Sequence, residues 1–125
     1  MKRLPLLLAA ACTAVLGGCS SEEAATVSYA RDVQPVLDAR CTSCHVPGQA
    51  GYEASGLSTA SYDARMKGTK YGEVVIPGDA LSSALTMLVE GRADPSIRMP
   101  HGDQELPDSE KKVLRDWVAQ GAQNN

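Results

Sequence analysis

Three segments of the chain repeat apolar residues at the three- and four-residue spacing of one helical face. In the first, residues 28–40, the apolar positions are Tyr29, Val33, Val36 and Leu37. This helix is predicted to begin either at Ser28 or with Asp32 as its N-cap. The second start places Pro35 in the first helical turn, where its missing N–H costs little.

Two further helices are predicted in the second half of the chain. One follows a Pro-Gly turn, has Asp79 as N-cap and ends at Gly91, with an apolar face of Leu81, Ala84, Leu85 and Leu88. The other begins near Asp108 and ends at Gly121, and Leu106 is placed to contact its first turn. Its apolar residues are Val113, Leu114, Trp117 and Val118.

The segments between these helices contain residues typical of loops. Glycine and proline interrupt the periodicity in residues 46–56, and residues 68–75 are also predicted to be a loop. Residues 57–66 predict a short helix that is capped by Ser61 or Thr59. No segment alternates apolar and polar residues in the manner of a half-buried strand, so the pattern predicts an all-α fold.

The start of the chain has the pattern of an export signal: two basic residues, an apolar run and small residues before Cys19. The apolar run is shorter than the roughly 20 residues that a permanent membrane-spanning helix needs. Leu16-Gly17-Gly18-Cys19 resembles the lipobox of bacterial lipoproteins, in which the cysteine is lipidated. The alternative is an ordinary signal that leaves Cys19 as a free thiol. We predict a signal peptide over 1–18, a flexible tether over 19–27 and one domain over 28–123.

The charge and the aromatic content of the chain bear on which ligands it could bind. The chain has 12 basic and 15 acidic side chains, and removal of the signal would delete two of the basic ones. This acidic balance argues against binding the phosphate backbone of a nucleic acid. Aromatic residues make up 4% of the chain, so a core of Val, Leu and Ala would bury little apolar area for its size. A large prosthetic group is one way to complete such a core.

The sequence Cys41-Thr42-Ser43-Cys44-His45 has the spacing of a covalent haem attachment site. Two thiols on one helical turn can reach the two vinyl groups of a porphyrin, and His45 is then placed to bind the iron. Three alternatives compete with this interpretation. A thioredoxin-like site would need a strand before Cys41, a zinc site would need two more ligands with only His101 available, and a disulfide would leave His45 without a role.

Met99 is the candidate for the second axial ligand of such an iron. A thioether is a good sixth ligand to haem iron and raises the reduction potential. Pro100 favours an extended backbone at Met99. His101 is the main alternative because two imidazoles also ligate haem iron. Met87 is expected to be a core residue that faces the haem, and Met66 is a weaker candidate still.

The chain over residues 29–122 resembles a class I cytochrome c domain. The matching residues are Asp32-Val33-Gln34-Pro35-Val36-Leu37-Asp38-Ala39-Arg40 before the Cys-x-x-Cys-His sequence, then Gly56-Leu57-Ser58, Ile76-Pro77-Gly78-Asp79, Met99-Pro100, Trp117 and Gly121-Ala122. The resemblance implies a small helical fold wrapped around one covalent haem c. It also implies attachment through Cys41 and Cys44, with His45 as the proximal and Met99 as the distal ligand.

These features predict an electron carrier rather than an enzyme. A haem with both axial positions filled by protein has no position for a substrate, so it gains and loses single electrons. One alternative is a haem-based sensor or gas-binding module in which Met99 dissociates. Another is the haem subunit of a larger oxidoreductase complex.

The export signal places this carrier in the cell envelope, facing the periplasm. A lipid on Cys19 would attach it to a membrane, and Ser20 after that cysteine favours the outer membrane over the inner one. We expect a monomer that meets its redox partner proteins transiently, and no nucleic-acid partner. The acidic excess favours a partner with a basic surface.

Overall fold

The structure, a computed structural model, describes residues 25–125. The predicted signal peptide, Cys19 and most of the predicted tether lie outside the described residues. A π-helical turn, Tyr29–Val33, leads into α1, Gln34–Arg40. The other helices are α2 (Ala50–Ser55), α3 (Tyr62–Met66), α4 (Ala84–Val89), a 3₁₀ turn (Pro95–Ile97) and α5 (Asp108–Ala119).

The described part of the chain contains no strand beyond one isolated bridge between Thr69 and Gly72, which confirms the predicted all-α class. The loop over 68–75, the α3 cap at Ser61 and the last helix are confirmed as well. Among residues 25–125, no helix is both long enough and apolar enough to cross a membrane.

The first helical segment begins at Ser28, so the alternative with Asp32 as N-cap is wrong. The Ser28 Oγ atom accepts a hydrogen bond from the Arg31 N–H, and Asp32 Oδ2 accepts one from the Ser28 N–H at 2.8 Å. The π-helical turn before Pro35 makes room for its ring. In this turn the backbone N–H groups of Val33 and Gln34 donate to carbonyls five residues earlier, and the wider turn relieves the clash between a proline ring and the carbonyl four residues before it. Pro35 itself lies in the first turn of α1.

The core lies between the first helical segment and α5. Its largest fully buried apolar side chains are Val33, Leu37, Leu114, Trp117 and Val118. Tyr29 and Tyr62 pack edge to face at 5.1 Å between ring centroids, and Tyr29 lies 5.6 Å from the Trp117 ring. Leu106 is buried just before the N-cap of α5, as predicted. The few aromatic side chains of this protein are therefore concentrated in one cluster.

The two ends of the described chain meet at the C-terminal end of α5. The Val27 N–H donates to Gln120 Oε1 at 2.8 Å, and Gln120 Nε2 donates to the Ala25 carbonyl at 3.2 Å. Asn125 Oδ1 accepts from the Tyr29 N–H at 2.8 Å. These bonds fix the point at which the predicted tether joins the folded domain.

The predicted loop over 46–56 is confirmed at residues 46–49 and wrong from Ala50 to Ser55, where α2 forms. Gly51 interrupts the sequence pattern but lies inside this helix, where its carbonyl accepts a hydrogen bond from Ser55 Oγ at 2.6 Å. Gly56, with φ of +78°, ends the helix in the left-handed conformation that glycine adopts without strain.

Helix α4 begins at Ala84 rather than after Asp79, and the predicted apolar face is wrong at Leu81, which is 74% exposed. Side-chain hydroxyls explain the later start. Ser83 Oγ donates to the Asp79 carbonyl at 2.7 Å, and Thr86 Oγ1 donates to the Ala80 carbonyl, so a hydrogen-bonded turn replaces the first helical turns. The predicted end at Gly91 is confirmed.

We expect Leu114→Ala to lower the free energy of unfolding by about 2–5 kcal/mol, because Leu114 is fully buried and its truncation leaves a cavity. Leu81→Ala removes the same atoms from an exposed side chain and should change stability by less than about 0.5 kcal/mol. Chemical denaturation of the two variants tests this difference. Equal losses of stability would contradict the assignment of the core.

Candidate functional site

The two cysteines lie on a single turn at the C-terminal end of α1. The Cys41 N–H donates to the Leu37 carbonyl at 2.9 Å, and the Cys41 carbonyl accepts from the N–H groups of Cys44 (3.1 Å) and His45 (2.9 Å). No disulfide joins the two cysteines, which argues against the disulfide interpretation. A helix precedes them where the thioredoxin-like interpretation requires a strand, so that interpretation is wrong.

The two thiols differ in environment. Cys41 packs against the core, whereas Cys44 is exposed. Burial, together with the nearby Cys44 and Glu110, raises the pKa of Cys41 to about 11. Cys41 is therefore a protonated thiol at neutral pH, unlike the low-pKa cysteines of disulfide oxidoreductases.

His45 is held through its backbone by the segment that follows α2. Its carbonyl accepts hydrogen bonds from the Thr59 N–H at 2.8 Å and from Thr59 Oγ1 at 3.1 Å. Burial lowers the pKa of the imidazole, which is therefore neutral at neutral pH and keeps a nitrogen lone pair for a metal. The Nδ1 atom is buried without a hydrogen-bond partner among the described residues.

One cavity of about 870 Å³ connects this segment with the loop that carries Met99. Cys44 and His45 line it together with Met99 and His101, so the structure brings these distant parts of the sequence to one cavity. Small residues of α2 and the segment 100–106 complete the wall. The volume is within the roughly 300–1,000 Å³ of cofactor pockets. Cys41 lies against the core rather than in this lining.

The two candidate distal ligands differ in how firmly they are held. Met99 is partly buried against the core, and its N–H donates to the Leu88 carbonyl at 3.3 Å. His101 is exposed. The other two candidates, Met66 and Met87, do not line the cavity, and Met66 packs against the core.

The donor set fits a haem better than a zinc ion. A soft thioether, a neutral imidazole and the Cys44 thiol line one cavity of cofactor size, and the Cys41 thiol lies on the same turn as Cys44, packed against the core. Over residues 25–125, no three His, Cys, Asp or Glu side chains come together as a metal cluster, so the zinc interpretation has no support.

The sequence does not indicate that two buried residues support the backbone around His45. Thr59 binds the His45 carbonyl and also lies 3.1 Å from the Thr42 hydroxyl. Arg65 is only 2% exposed, donates to the Thr59 carbonyl and lies 5.3 Å above the Tyr29 ring. Burial lowers the pKa of Arg65 to about 10. Together they tie α3 to the backbone that carries His45.

Comparison with known proteins connects this site to a family. Residues 41–103 match the family described as Planctomycete cytochrome C, a span that begins at Cys41 and includes both Met99 and His101. The chain belongs to this cytochrome c family. No curated protein and no solved structure matches the chain.

Membership of this family confirms the resemblance to a cytochrome c domain. The cytochrome is therefore a protein of the haem-containing, electron-transfer type, and the family implies covalently bound haem c. Cytochrome c domains are typically extracytoplasmic.

Proposed function

We propose that this cytochrome is a membrane-tethered carrier of single electrons with one haem c. In this proposal Cys41 and Cys44 hold the haem covalently, and His45 and Met99 are its axial ligands. The observation that carries the proposal is the cavity lined by Cys44, His45 and Met99. Its walls bring one thiol and two axial donors of different chemistry to one space, and the second thiol, Cys41, is on the same turn as the first.

Each side chain has a distinct part in this proposal. The haem, when bound, supplies the one-electron chemistry. The neutral imidazole of His45 offers a lone pair without the loss of a proton, and the hydrogen bonds from Thr59 fix its backbone. A neutral thioether from Met99 favours ferrous iron and so raises the reduction potential.

Met99 is proposed as the distal ligand over His101 because its side chain is partly buried against the core, whereas His101 is exposed. The Met99 N–H also donates to the Leu88 carbonyl at 3.3 Å. The ion pair between Arg98 and Glu105 encloses both candidates. The partly buried side chain of Met99 therefore loses less conformational freedom on ligation than the exposed His101.

A redox titration of the purified holoprotein, followed by its absorption spectrum, tests the carrier against the sensor. We expect a single one-electron transition and no binding of carbon monoxide to the reduced protein. Ready binding of carbon monoxide would instead favour the sensor, with Met99 displaced. Stable co-purification with a dehydrogenase or an oxidase after mild detergent extraction would favour a subunit of a larger complex.

We propose transient docking to a partner with a basic surface. The cytochrome has more acidic than basic side chains, and electron-transfer contacts are small, under roughly 1,200 Å². Charge steering of this kind weakens as salt is added. Electron-transfer rates that are indifferent to ionic strength would contradict the electrostatic part of the proposal.

The proposed membrane attachment is a lipid on Cys19 after removal of residues 1–18, with the haem domain facing the periplasm and the outer membrane favoured. We expect mass spectrometry to find Cys19 acylated and the cytochrome to require detergent for extraction, since several acyl chains give firm anchoring. The variant Cys19→Ser should be recovered without detergent and with an unchanged haem spectrum. An unmodified Cys19 in a detergent-free wild-type protein would contradict the anchor.

A further inference from the structure

We propose that Gly51 is a positioning residue that sets the orientation of the His45 imidazole. The inference rests on the proposed function in one respect, since it takes His45 as an iron ligand. It concerns the side of α2 that faces the attachment sequence, and it explains why a glycine stands inside a helix.

The space at position 51 is closed to any side chain. A Cβ atom there would lie 2.8 Å from the Cys44 carbonyl oxygen, 2.8 Å from His45 Cε1 and 3.0 Å from His45 Nδ1. The first of these neighbours is backbone, and it is fixed in place because it accepts a hydrogen bond from the Tyr52 N–H at 3.0 Å. A side chain at position 51 would therefore turn the imidazole ring and would also push α2 away from the Cys44 carbonyl.

Backbone conformation does not explain the glycine. Gly51 lies within α2 and is not among the glycines with positive φ, so every residue type could adopt its conformation. Alanine is in fact the better helix former. Gly48 offers the opposite case, because its φ is +86° and nothing lies within 4 Å of a Cβ there. At position 51, the contact with His45 is what requires the missing side chain.

The contact acts beside an interaction that metal-binding histidines normally make. The second ring nitrogen of such a histidine usually donates a hydrogen bond that fixes the ring orientation. In the described part of this cytochrome, the Leu57 backbone lies within reach of the His45 ring, but the buried Nδ1 atom makes no hydrogen bond of full geometry. Close packing by α2 therefore limits rotation of the ring, and Nε2 is the nitrogen left for iron.

The test is the variant Gly51→Ala, prepared as the holoprotein. The matched control is Glu53→Gln, on the exposed side of the same helix, which keeps an acceptor for the Gly48 N–H. In ferric protein, the proton resonances of the haem methyl groups report the orientation of the axial imidazole plane. We expect Gly51→Ala to change their order or spread, and to shift the reduction potential, while haem attachment and helix content stay at wild-type levels. The variant Glu53→Gln should keep the wild-type pattern.

A second measurement needs no variant. In the reduced wild-type holoprotein, the Gly51 Hα protons should show a nuclear Overhauser effect to the His45 ring protons. An unchanged methyl pattern in Gly51→Ala, or the absence of this effect, would overturn the role of Gly51 while the proposed function stands. A wild-type protein without a His45-ligated haem would instead overturn the proposed function itself.

Discussion

Replacement of Met99 with alanine is expected to abolish the far-red sulfur-to-iron band of the ferric protein and to lower its reduction potential. The band requires an iron–thioether bond, and Met99 is the only methionine that lines the cavity within the described part of the chain. Loss of the thioether removes a ligand that favours ferrous iron, so the potential should fall. Absorption spectroscopy and a redox titration measure both effects. The variant Met66→Ala, which alters a core methionine outside the cavity, should keep the band.

His101 decides what replaces the lost ligand. It lines the same cavity two residues further along the chain, and its exposed side chain is free to move. We expect Met99→Ala to become a low-spin haem with two imidazole ligands. The double variant Met99→Ala with His101→Ala should leave an open position that binds carbon monoxide when reduced. A wild-type protein without the far-red band, in which His101→Ala produces a high-spin haem, would show that His101 is the distal ligand.

The double variant Cys41→Ala with Cys44→Ala is expected to lack covalent haem and to lose cooperative thermal unfolding. The cavity of about 870 Å³ lies between the attachment sequence and the loop that carries Met99, so a bound haem would supply contacts to both segments. Mass spectrometry checks attachment, and a thermal scan by circular dichroism checks cooperativity. Each single variant keeps one thiol and should retain a singly attached haem. A sharp transition in the double variant would show that the Trp117 core folds without the prosthetic group.

The sequence predictions were correct where the deciding interactions join residues that are close together in the chain. Helix α5 was predictable because Leu114, Trp117 and Val118 share one face, and all three are buried. The attachment sequence was predictable because its chemistry lies within five consecutive residues. The placement of Met99 near His45 required only the chemical preference of haem iron, and the shared cavity agrees with it.

The wrong predictions come from contacts that a local pattern cannot show. Gly51 has the character of a helix breaker in the sequence, whereas in the fold it is a helical residue whose Cβ is excluded by His45. Leu81 has helical spacing, but the hydroxyls of Ser83 and Thr86 bond to nearby carbonyls and delay the start of α4. The burial of Arg65 could not be predicted from the sequence, because charged residues are seldom buried without a counter-ion.

The position of the chain ends on α5 has a consequence for how an anchored molecule would stand on a membrane. The tether joins the domain beside Gln120, at the C-terminal end of α5, whereas Leu106 of the cavity wall lies just before its N-terminal end. A helix of 12 residues is about 18 Å long. In an anchored molecule, the tether would therefore join the domain one helix length away from this part of the cavity wall. A partner diffusing in the aqueous space would then have a route to the cavity while the domain stays attached to the bilayer.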